Sequence, residues 1–464
     1  MADTVDAGLR RTITLPQALS ISFHQIVGGG VIALTGAAIA ITGTGAPVAY
    51  LMAALTVILC SIPYAAVGSA LPVTGARYSY AARLIGPSAG YLTMLLAVIV
   101  TTQLSLMALT AAEYVHALSP SIPVAPFALG LLTVFFVANL FQISFSNRLG
   151  LVLAGIMLVA FGAYAITGMK QVRWSAVTEV APNGVGQLLA AAALLTFATN
   201  GGTYVAEMGR EMKRPGRDIP LAIIGGTAAA AILYFLMALP SVAILPVSET
   251  AGQPMTVVAK HILSSGWFAF FVLGGAVVSV IGHINALMMA ATRPVLAAIG
   301  DGWFPRRAGA LNRYGTPHWL LFGLYLIGIA PVIGGFSIEA LAGAASIAEI
   351  VALAVIITAS LRLRKRFPAE EAAAPFRLKP LAHRVLVGIG LCVLAVEAWV
   401  LGKQLTTSIA VALIAWLAGG LVWWAVRRKR VSTRHALGFE GETQAPAAVT
   451  AAARPGPGPA EDAG

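Results

Sequence analysis

The chain has 464 residues, of which 58% are hydrophobic and only 10% are charged. Water-soluble domains carry about 25% charged residues, so this composition excludes an ordinary soluble enzyme. Long segments lack any charged residue, and several of them exceed the ~18–20 apolar residues that cross a bilayer as a helix. Among them are residues 12–76, 84–112, 219–248, 261–292 and 404–426. The sequence therefore predicts a polytopic membrane protein.

In chain order, glycines, prolines and charge clusters divide the sequence into twelve predicted transmembrane helices. Membrane β-strands would appear as segments of only about 10 residues with alternating polarity. The apolar segments of this sequence are continuous and longer, so the expected fold class is all-α. The first six spans are residues 15–40, 46–71, 88–118, 124–145, 147–168 and 186–209, and the second six are residues 219–245, 266–300, 318–333, 338–361, 384–401 and 406–426. Residues 1–14 are predicted to precede an uncleaved first helix.

Lysine and arginine positions predict the orientation, because short cytoplasmic loops retain positive charge. With the N-terminus inside, the outer loops hold only Lys170, Arg173, Lys260 and Lys403, which leaves 26 of the 30 basic residues on the cytoplasmic side. Both termini are therefore predicted to be cytoplasmic in a cell (inner or plasma) membrane, with residues 431–464 as a disordered tail. The net charge of +12 is then explained by the membrane topology, and no nucleic-acid partner is predicted.

The sequence offers no chemistry typical of an enzyme or a metal centre. Its two cysteines, Cys60 and Cys392, both lie inside predicted spans, so neither a disulfide nor a zinc site is predicted. It has no nucleophile elbow, HExxH helix or P-loop. We expect no enzymatic activity, no cofactor and no metal, and the predicted partners are the bilayer and a small molecule.

Two predicted spans are interrupted at corresponding positions. The first contains Gly28, Gly29 and Gly30, and the sixth contains Asn200 followed by Gly201 and Gly202. Each glycine costs about 1 kcal/mol of helix propensity relative to alanine, and backbone freed within the membrane must face protein, water or a ligand. Paired breaks of this kind indicate a transporter binding site. Close helix packing is the alternative interpretation of either glycine group alone.

Broken helices suit a zwitterionic ligand. The N-terminus of a half-helix exposes N–H groups and a positive dipole, which favour a carboxylate. Carbonyl groups freed at the end of the other half-helix suit an ammonium group. The paired breaks therefore predict a substrate that carries both groups.

Several ordered motifs give the sequence a family resemblance. They are IVGGGVIA at 26–33, PVTGARYSY at 72–80, FATNGGTYVAEMGREMKRPGRDIP at 197–220 and DGWFP at 301–305. Together they resemble the amino acid, polyamine and organocation (APC) superfamily of secondary transporters. The resemblance implies a leucine-transporter-type core of two inverted five-helix repeats, residues 15–168 and 186–361, with helices 1 and 6 broken. Two further helices at 384–426 follow, and the implied activity is transport of amino acids or related amines by alternating access.

The resemblance also implies the substrate-binding residues. Backbone N–H groups of Gly28, Gly29 and Gly30 would bind the carboxylate. The amino group would be held by the backbone around the sixth-helix break and the end of the first half-helix, at Ile26, Phe197, Ala198 and Asn200. Gly201 is a further substrate-binding candidate. Thr101, Ser105 and Leu287 would line the side-chain subsite.

Ionisable residues within membrane spans are costly and indicate function. Glu349 is predicted to pair with a cationic group of the substrate or to carry a coupled proton, with a packing role as the alternative. Glu207 is predicted to form a gate salt bridge or a proton site. His24 and His283 are further candidates for proton coupling, because histidine titrates near neutral pH.

The coupling mode stays open at this point. Some proton-coupled relatives carry a fifth-helix lysine, and the resemblance places Met157 there instead. Proton coupling through another residue and ion-independent exchange are both compatible with the sequence. A polyamine or other cationic amine transporter, and a membrane sensor that binds an amino acid without moving it, are the alternative functions.

Overall fold

A computed structural model describes residues 11–28, 30–141, 143–336, 338–402 and 407–431. Within these ranges the chain is almost entirely helical, and the extended pairings there are three isolated β-bridges. Among the described residues, nine helical segments are long and apolar enough to cross a membrane, and two shorter apolar helices accompany them. The prediction of an all-α polytopic membrane protein is confirmed.

The first half of the chain contains two helices within the first predicted span. Its helices are α1 (Leu15–Ile26), α2 (Gly30–Thr42), α3 (Ala46–Ala70), α4 (Ala76–Leu84), α5 (Pro87–Val100), α6 (Gln103–Leu118), α7 (Val124–Phe141) and α8 (Ile143–Met169). Helices α5 and α6 form one span with a turn at Thr101 and Thr102. Helix α4 lies in a connection predicted as a loop, and all of its residues are buried.

The second half begins with another interrupted helix. Its helices are α9 (Val185–Thr199), α10 (Pro215–Pro220), α11 (Gly226–Ala243), α12 (Val247–Thr250), α13 (Thr256–Ile262), α14 (Ser265–Phe270), α15 (Val278–Gly300), α16 (His318–Ile333), α17 (Ile338–Ser360), α18 (Leu363–Arg366), α19 (Pro368–Ala373), α20 (Pro380–Gly402) and α21 (Thr407–Arg427). After α9 the chain continues as the 3₁₀ segment Gly202–Glu207. Single π-helical turns, Leu221–Gly225 and Phe271–Val277, join α10 to α11 and α14 to α15.

The two interrupted helices meet at their breaks. Gly201 has φ of +134°, a backbone conformation that side chains disfavour. A Cβ atom on Gly201 would also overlap the backbone carbonyl of Gln25 in the last turn of α1. Gly201 therefore allows both the sharp turn after α9 and the close approach of that turn to α1.

The last helix presents an apolar surface outward. Leu421, Val422 and Val426 of α21 are each more than 60% exposed. A bilayer accommodates such side chains at no hydrophobic cost, whereas water does not. Apolar exposure on α21 thus agrees with a lipid-facing position.

Gly282 lets α15 pack against α1. A Cβ atom at this position would overlap the buried imidazole ring of His24. We expect Gly282→Ala to destabilise the protein by about 1–3 kcal/mol, because overpacked cores must shift side chains or backbone. Thermal unfolding of the purified variant measures the effect.

Gly323→Ala in α16 is the matched control, because no atom lies within 4 Å of the added Cβ. If the Gly282 and Gly323 variants melted at the same temperature, the close contact between α1 and α15 would be refuted.

Candidate functional site

The breaks in the two interrupted helices lie against α6 and α15. A Cβ atom on Gly28 would lie 3.5 Å from Sδ of Met107 and 3.6 Å from Nδ1 of His283. A Cβ atom on Gly30 would lie 3.5 Å from the Cβ of Ala198. The residues of the two predicted breaks therefore form one shared site.

Tyr234 of α11 connects the two breaks. Its hydroxyl group lies 3.0 Å from the carbonyl oxygen of Ile26 and 3.4 Å from that of Ala198, and donates to these acceptors. These are two of the carbonyl groups predicted to hold the substrate amino group. Sequence reasoning missed Tyr234, which lies in an apolar helix away from every glycine motif.

The predicted backbone residues are only partly free. The Gly28 amide donates to the Ile26 carbonyl at 3.0 Å, and Oδ1 of Asn200 accepts from the Gly201 amide at 2.8 Å. The N–H groups in the first turn of α2 have no partner within that helix. Two predicted features, Gly29 and the Phe197 side chain, lie outside the described part of the structure.

A pair of histidines lies beside the site. Nε2 of His24 donates to the Gly150 carbonyl at 2.9 Å, and Nδ1 of His283 donates to the His24 carbonyl at 3.2 Å. On its other side, Nε2 of His283 faces Oε1 of Gln103 at 3.4 Å. The histidines therefore link α1 to α8, α15 and α6, and His283 lies next to Gly28.

Ser105, Thr101 and Leu287 are placed differently from the other predicted site residues. Ser105 donates to the Gly328 carbonyl of α16 at 2.6 Å. Thr101 donates to Val98 in its own turn, and Leu287 is fully buried in the apolar core. The side-chain hydrogen bonds of Ser105 and Thr101 among the described residues are therefore made away from the breaks.

The side chains of α6 that approach the breaks are Gln103 and Met107 instead. They are four residues apart and therefore share one helix face, whereas Ser105 points to the other side. The i, i+4 spacing alone does not identify this pair in the sequence, because every face of a helix has such pairs.

A buried ion cluster lies between the breaks and the face of the molecule at which α1 begins, here termed the N-terminal face. Nη1 and Nη2 of Arg77 both donate to the Glu349 carboxylate, the second at 2.8 Å. Nε of the same guanidinium lies 3.2 Å from Oε1 of Glu207. The Tyr204 ring lies 3.9 Å from the guanidinium carbon, and its hydroxyl group donates to Glu349 at 3.3 Å. Both Glu349 oxygens are therefore already bound within the protein.

Two further buried ion pairs close the N-terminal face. Arg293 of α15 donates to Glu211 at 2.8 and 3.1 Å, and Arg83 of α4 donates to Asp301 at 2.6 and 2.9 Å. The Glu211 carbonyl also accepts from the Ile13 amide at 2.9 Å, directly before α1. Together with the Arg77 cluster, these contacts separate the breaks from the N-terminal face.

The opposite side of the site is also covered. The Gly252 amide donates to the Gly36 carbonyl at 2.8 Å, and the Met255 amide donates to the Ile32 carbonyl at 3.2 Å. A Cβ atom on Gly36 would overlap the backbone of Gln253. The connection between α11 and α14 thus packs tightly on α2, and the breaks are enclosed from both directions.

The acidic, histidine and cysteine side chains near the site were compared with the requirements of a metal centre. In the ranges that the structure describes, no group of three or more His, Cys, Asp or Glu side chains has the geometry to hold a metal ion. The polar groups at the breaks include backbone amides and carbonyls, the Tyr234 phenol, the imidazoles of His24 and His283, and the carboxamides of Gln103 and Asn200. Such groups bind organic amines and carboxylates through hydrogen bonds.

Comparison with known proteins identifies the family of this chain. The family model described as "Amino acid permease" matches residues 13–423, which include both breaks and the buried ion cluster. The chain belongs to this amino acid permease family. The permease is similar to the methylthioribose transporter of Bacillus subtilis, with 24% identity over 92% of this chain and 96% of that protein.

Two other relatives are similar over most of their length. An uncharacterized transporter of Mycobacterium tuberculosis is 28% identical over 94% of this chain and 95% of its own. The branched-chain amino acid permease of Bacillus subtilis is 24% identical over 79% of this chain and 84% of its own. Membership of the APC group is confirmed, and the permease is a multi-pass membrane protein of a transporter family.

Proposed function

We propose that the permease is a secondary active transporter that moves an amino acid or a related small amine across the cell membrane by alternating access. The observation that carries this proposal is the contact between the two helix breaks at Gly201 and Gln25. This contact brings the first-turn N–H groups of α2, which have no partner within that helix, close to the terminal carbonyl groups of α1 and α9. No single unbroken helix offers both kinds of group at one point.

The proposed binding mode follows from these groups. The substrate carboxylate lies at the N-terminus of α2, where the helix dipole and unpaired amides favour negative charge. The ammonium group lies at the carbonyls of Ile26 and Ala198, to which Tyr234 donates. The substrate side chain points towards Met107 and His283, which flank Gly28.

The proposal includes the twelve-helix architecture with inverted repeats. The nine long spans and two shorter apolar helices make eleven, and the first long span, Gly30–Ala70, contains both α2 and α3. Counting these separately gives twelve membrane crossings. In the proposed orientation both termini are cytoplasmic, so the N-terminal face is the cytoplasmic face and its ion pairs close the inner pathway.

A polyamine or other dicationic substrate has less support. Such a substrate needs an acidic group for its second amine, and Glu349 was predicted to supply it. In the structure both Glu349 oxygens are bound by Arg77. Substrates with a single amino group are therefore favoured, moved with protons or by exchange.

Ligand-induced thermal stabilisation tests the proposal. The purified permease in detergent is screened against amino acids, polyamines and methylthioribose. We expect at least one molecule with both an α-amino and a carboxylate group to raise the melting temperature, because a ligand that binds only the folded state stabilises it.

Matched ligands make the screen specific. The N-acetyl and carboxamide derivatives of the best ligand should give smaller shifts, since each lacks one of the two charges. If polyamines or methylthioribose stabilised the protein and no amino acid did, the amino acid proposal would be wrong.

The Tyr234 hydroxyl group provides a test of the binding mode. We expect Tyr234→Phe to weaken substrate binding about tenfold, equivalent to ~1.4 kcal/mol, because the Ile26 and Ala198 carbonyls lose the donor that positions them. Titration of the substrate with isothermal calorimetry measures the change.

Tyr164→Phe serves as the control. The Tyr164 hydroxyl is buried as well, but its partner is Ser241 at 2.7 Å and not a helix break. Equal affinities of the two variants would exclude a role for Tyr234 in the substrate site.

A further inference from the structure

The buried cluster around Arg77 has unbalanced charge. Its guanidinium group contacts two carboxylates, Glu349 through both terminal nitrogens and Glu207 through Nε. The three side chains come from α4, α17 and the 3₁₀ segment, and the residues are only 2%, 7% and 1% exposed. With both carboxylates ionised, the cluster carries one excess negative charge.

The charged groups that act on Glu207 are Arg77 and Glu349, so Arg77 is the cation that balances the cluster. Two other arginines on the packed helices, Arg293 and Arg83, are each bound to their own carboxylate, Glu211 and Asp301. The remaining titratable groups that face the cluster are the phenols of Tyr64 on α3, Tyr80 on α4 and Tyr204 on the 3₁₀ segment. These phenols are neutral donors, so the excess charge persists.

Two of these phenols add an independent observation. The hydroxyl groups of Tyr64 and Tyr80 are buried, and neither has a hydrogen-bond partner in the part of the chain that the structure describes. Both lie close enough to interact with the charge of Glu207. Buried hydroxyl groups are normally satisfied, so this region has hydrogen-bonding capacity that the described side chains leave unused.

An unpaired negative charge in a buried position strongly destabilises a fold. A carboxylate in this position lowers the cost by binding a proton. A metal cation is a poorer solution, because the carboxylate oxygens of Glu349 and Glu207 already accept hydrogen bonds from Arg77.

We infer that the Arg77–Glu207–Glu349 cluster is a proton-binding site, which holds one proton shared by its two carboxylates while the N-terminal face is closed. The proton belongs to the coupled pair and not to one residue. Glu349 has the two-point contact with Arg77, so the proton resides mainly on the Glu207 side, next to the free phenols.

This inference deepens the proposed function and rests on it for one step, the movement that opens the N-terminal face. Opening separates α4 and α17 from the 3₁₀ segment, because the cluster connects all three. Water then reaches the carboxylates and stabilises their charged forms, so the proton leaves towards the N-terminal face. Substrate release on that side is thereby coupled to proton release.

Difference infrared spectroscopy tests the site without substrate. The permease in lipid nanodiscs is compared in acidic and alkaline buffers, in water and in deuterium oxide. We expect a carbonyl stretching band of a protonated carboxylic acid that persists at neutral pH. Glu207→Gln and Glu349→Gln should each abolish this band, because the cluster with a single carboxylate is balanced by Arg77 and needs no proton.

Glu249→Gln is the control, since Glu249 is exposed in the connection after α11 and its loss should leave the band unchanged. A band that survived in both cluster variants would overturn the inference, as would its absence from the wild type at neutral pH. Stabilisation of the wild type by sodium chloride, but not by choline chloride, would indicate a bound cation instead of a proton.

The infrared measurement does not depend on transport. The transporter proposal and the proton-site proposal can therefore be refuted independently of each other. Absence of a ligand-induced thermal shift would refute the transporter proposal and leave the band unaffected. Loss of the band from the wild type would refute the proton site while substrate binding persists.

Discussion

Arg77→Gln is expected to destabilise the permease by about 3–5 kcal/mol, the cost of removing one partner from a buried ion pair. The substitution leaves Glu207 and Glu349 together without a cation, and both residues are at least nine-tenths buried. Thermal unfolding in detergent and the yield of monodisperse protein measure the loss. The loss should be greatest in alkaline buffer and smaller in acid, because protonation removes the uncompensated charge from both carboxylates.

Two comparisons separate this effect from a general loss of charge. Arg364→Gln removes an arginine whose pair with Glu371 is exposed, the Arg364 side chain being 48% accessible. Such pairs contribute only about 0–1 kcal/mol, so this variant should melt near the wild type. Combining Arg77→Gln with Glu207→Gln and Glu349→Gln should restore much of the lost stability. An Arg77→Gln variant as stable as Arg364→Gln would show that the buried cluster does not form.

Gly201→Ala is expected to abolish transport and to destabilise the fold by about 2–6 kcal/mol. The positive φ of Gly201 costs a side chain about 1–3 kcal/mol, and overlap with the Gln25 carbonyl adds about 1–3 kcal/mol of overpacking. Relief of that overlap requires the two breaks to move apart, which separates the proposed carboxylate and ammonium subsites. Uptake of labelled substrate into proteoliposomes measures the loss.

Gly186→Ala provides the control on the same helix. Gly186 lies in α9, and a Cβ atom there meets no other atom within 4 Å. Because alanine favours helix over glycine, this variant should transport normally and melt no lower than the wild type. Normal transport by Gly201→Ala would mean that the contact between the breaks is not needed for function.

The sequence was sufficient to predict an all-α polytopic membrane protein and the position of both helix breaks. Hydrophobic length determines whether a helix can cross a bilayer, and that property is local. Consecutive glycines lower helix propensity locally as well. Helix α1 accordingly ends at Ile26, two residues before Gly28, and α9 ends at Thr199, directly before Asn200.

The side of each helix that faces the site could not be predicted in the same way. Ser105 was expected in the substrate site, yet it donates to Gly328 on α16. An apolar helix buried on several sides has no polar face to indicate which side faces the site. The structure assigns that side to Gln103 and Met107 through their positions beside His283 and Gly28.

The sequence also did not predict which distant residues form ion pairs and hydrogen bonds with each other. Glu349 was identified as an unusual intramembrane carboxylate, but its partner Arg77 is 272 positions away. Arg77 was counted only among the basic residues of a cytoplasmic loop, because helix α4 and its burial depend on tertiary packing. No sequence motif distinguishes Tyr234 as a site residue, because its hydrogen bonds are made to two carbonyl groups from distant segments.

Substrate counterflow in proteoliposomes tests the central claim most directly. Liposomes that contain the purified permease are loaded with the unlabelled amino acid that gives the largest thermal shift, then diluted into a trace of the labelled form. We predict transient accumulation of label in wild-type and Gly186→Ala liposomes and none in Gly201→Ala or empty liposomes. Binding of the amino acid without accumulation by the wild type would contradict transport and indicate a membrane sensor.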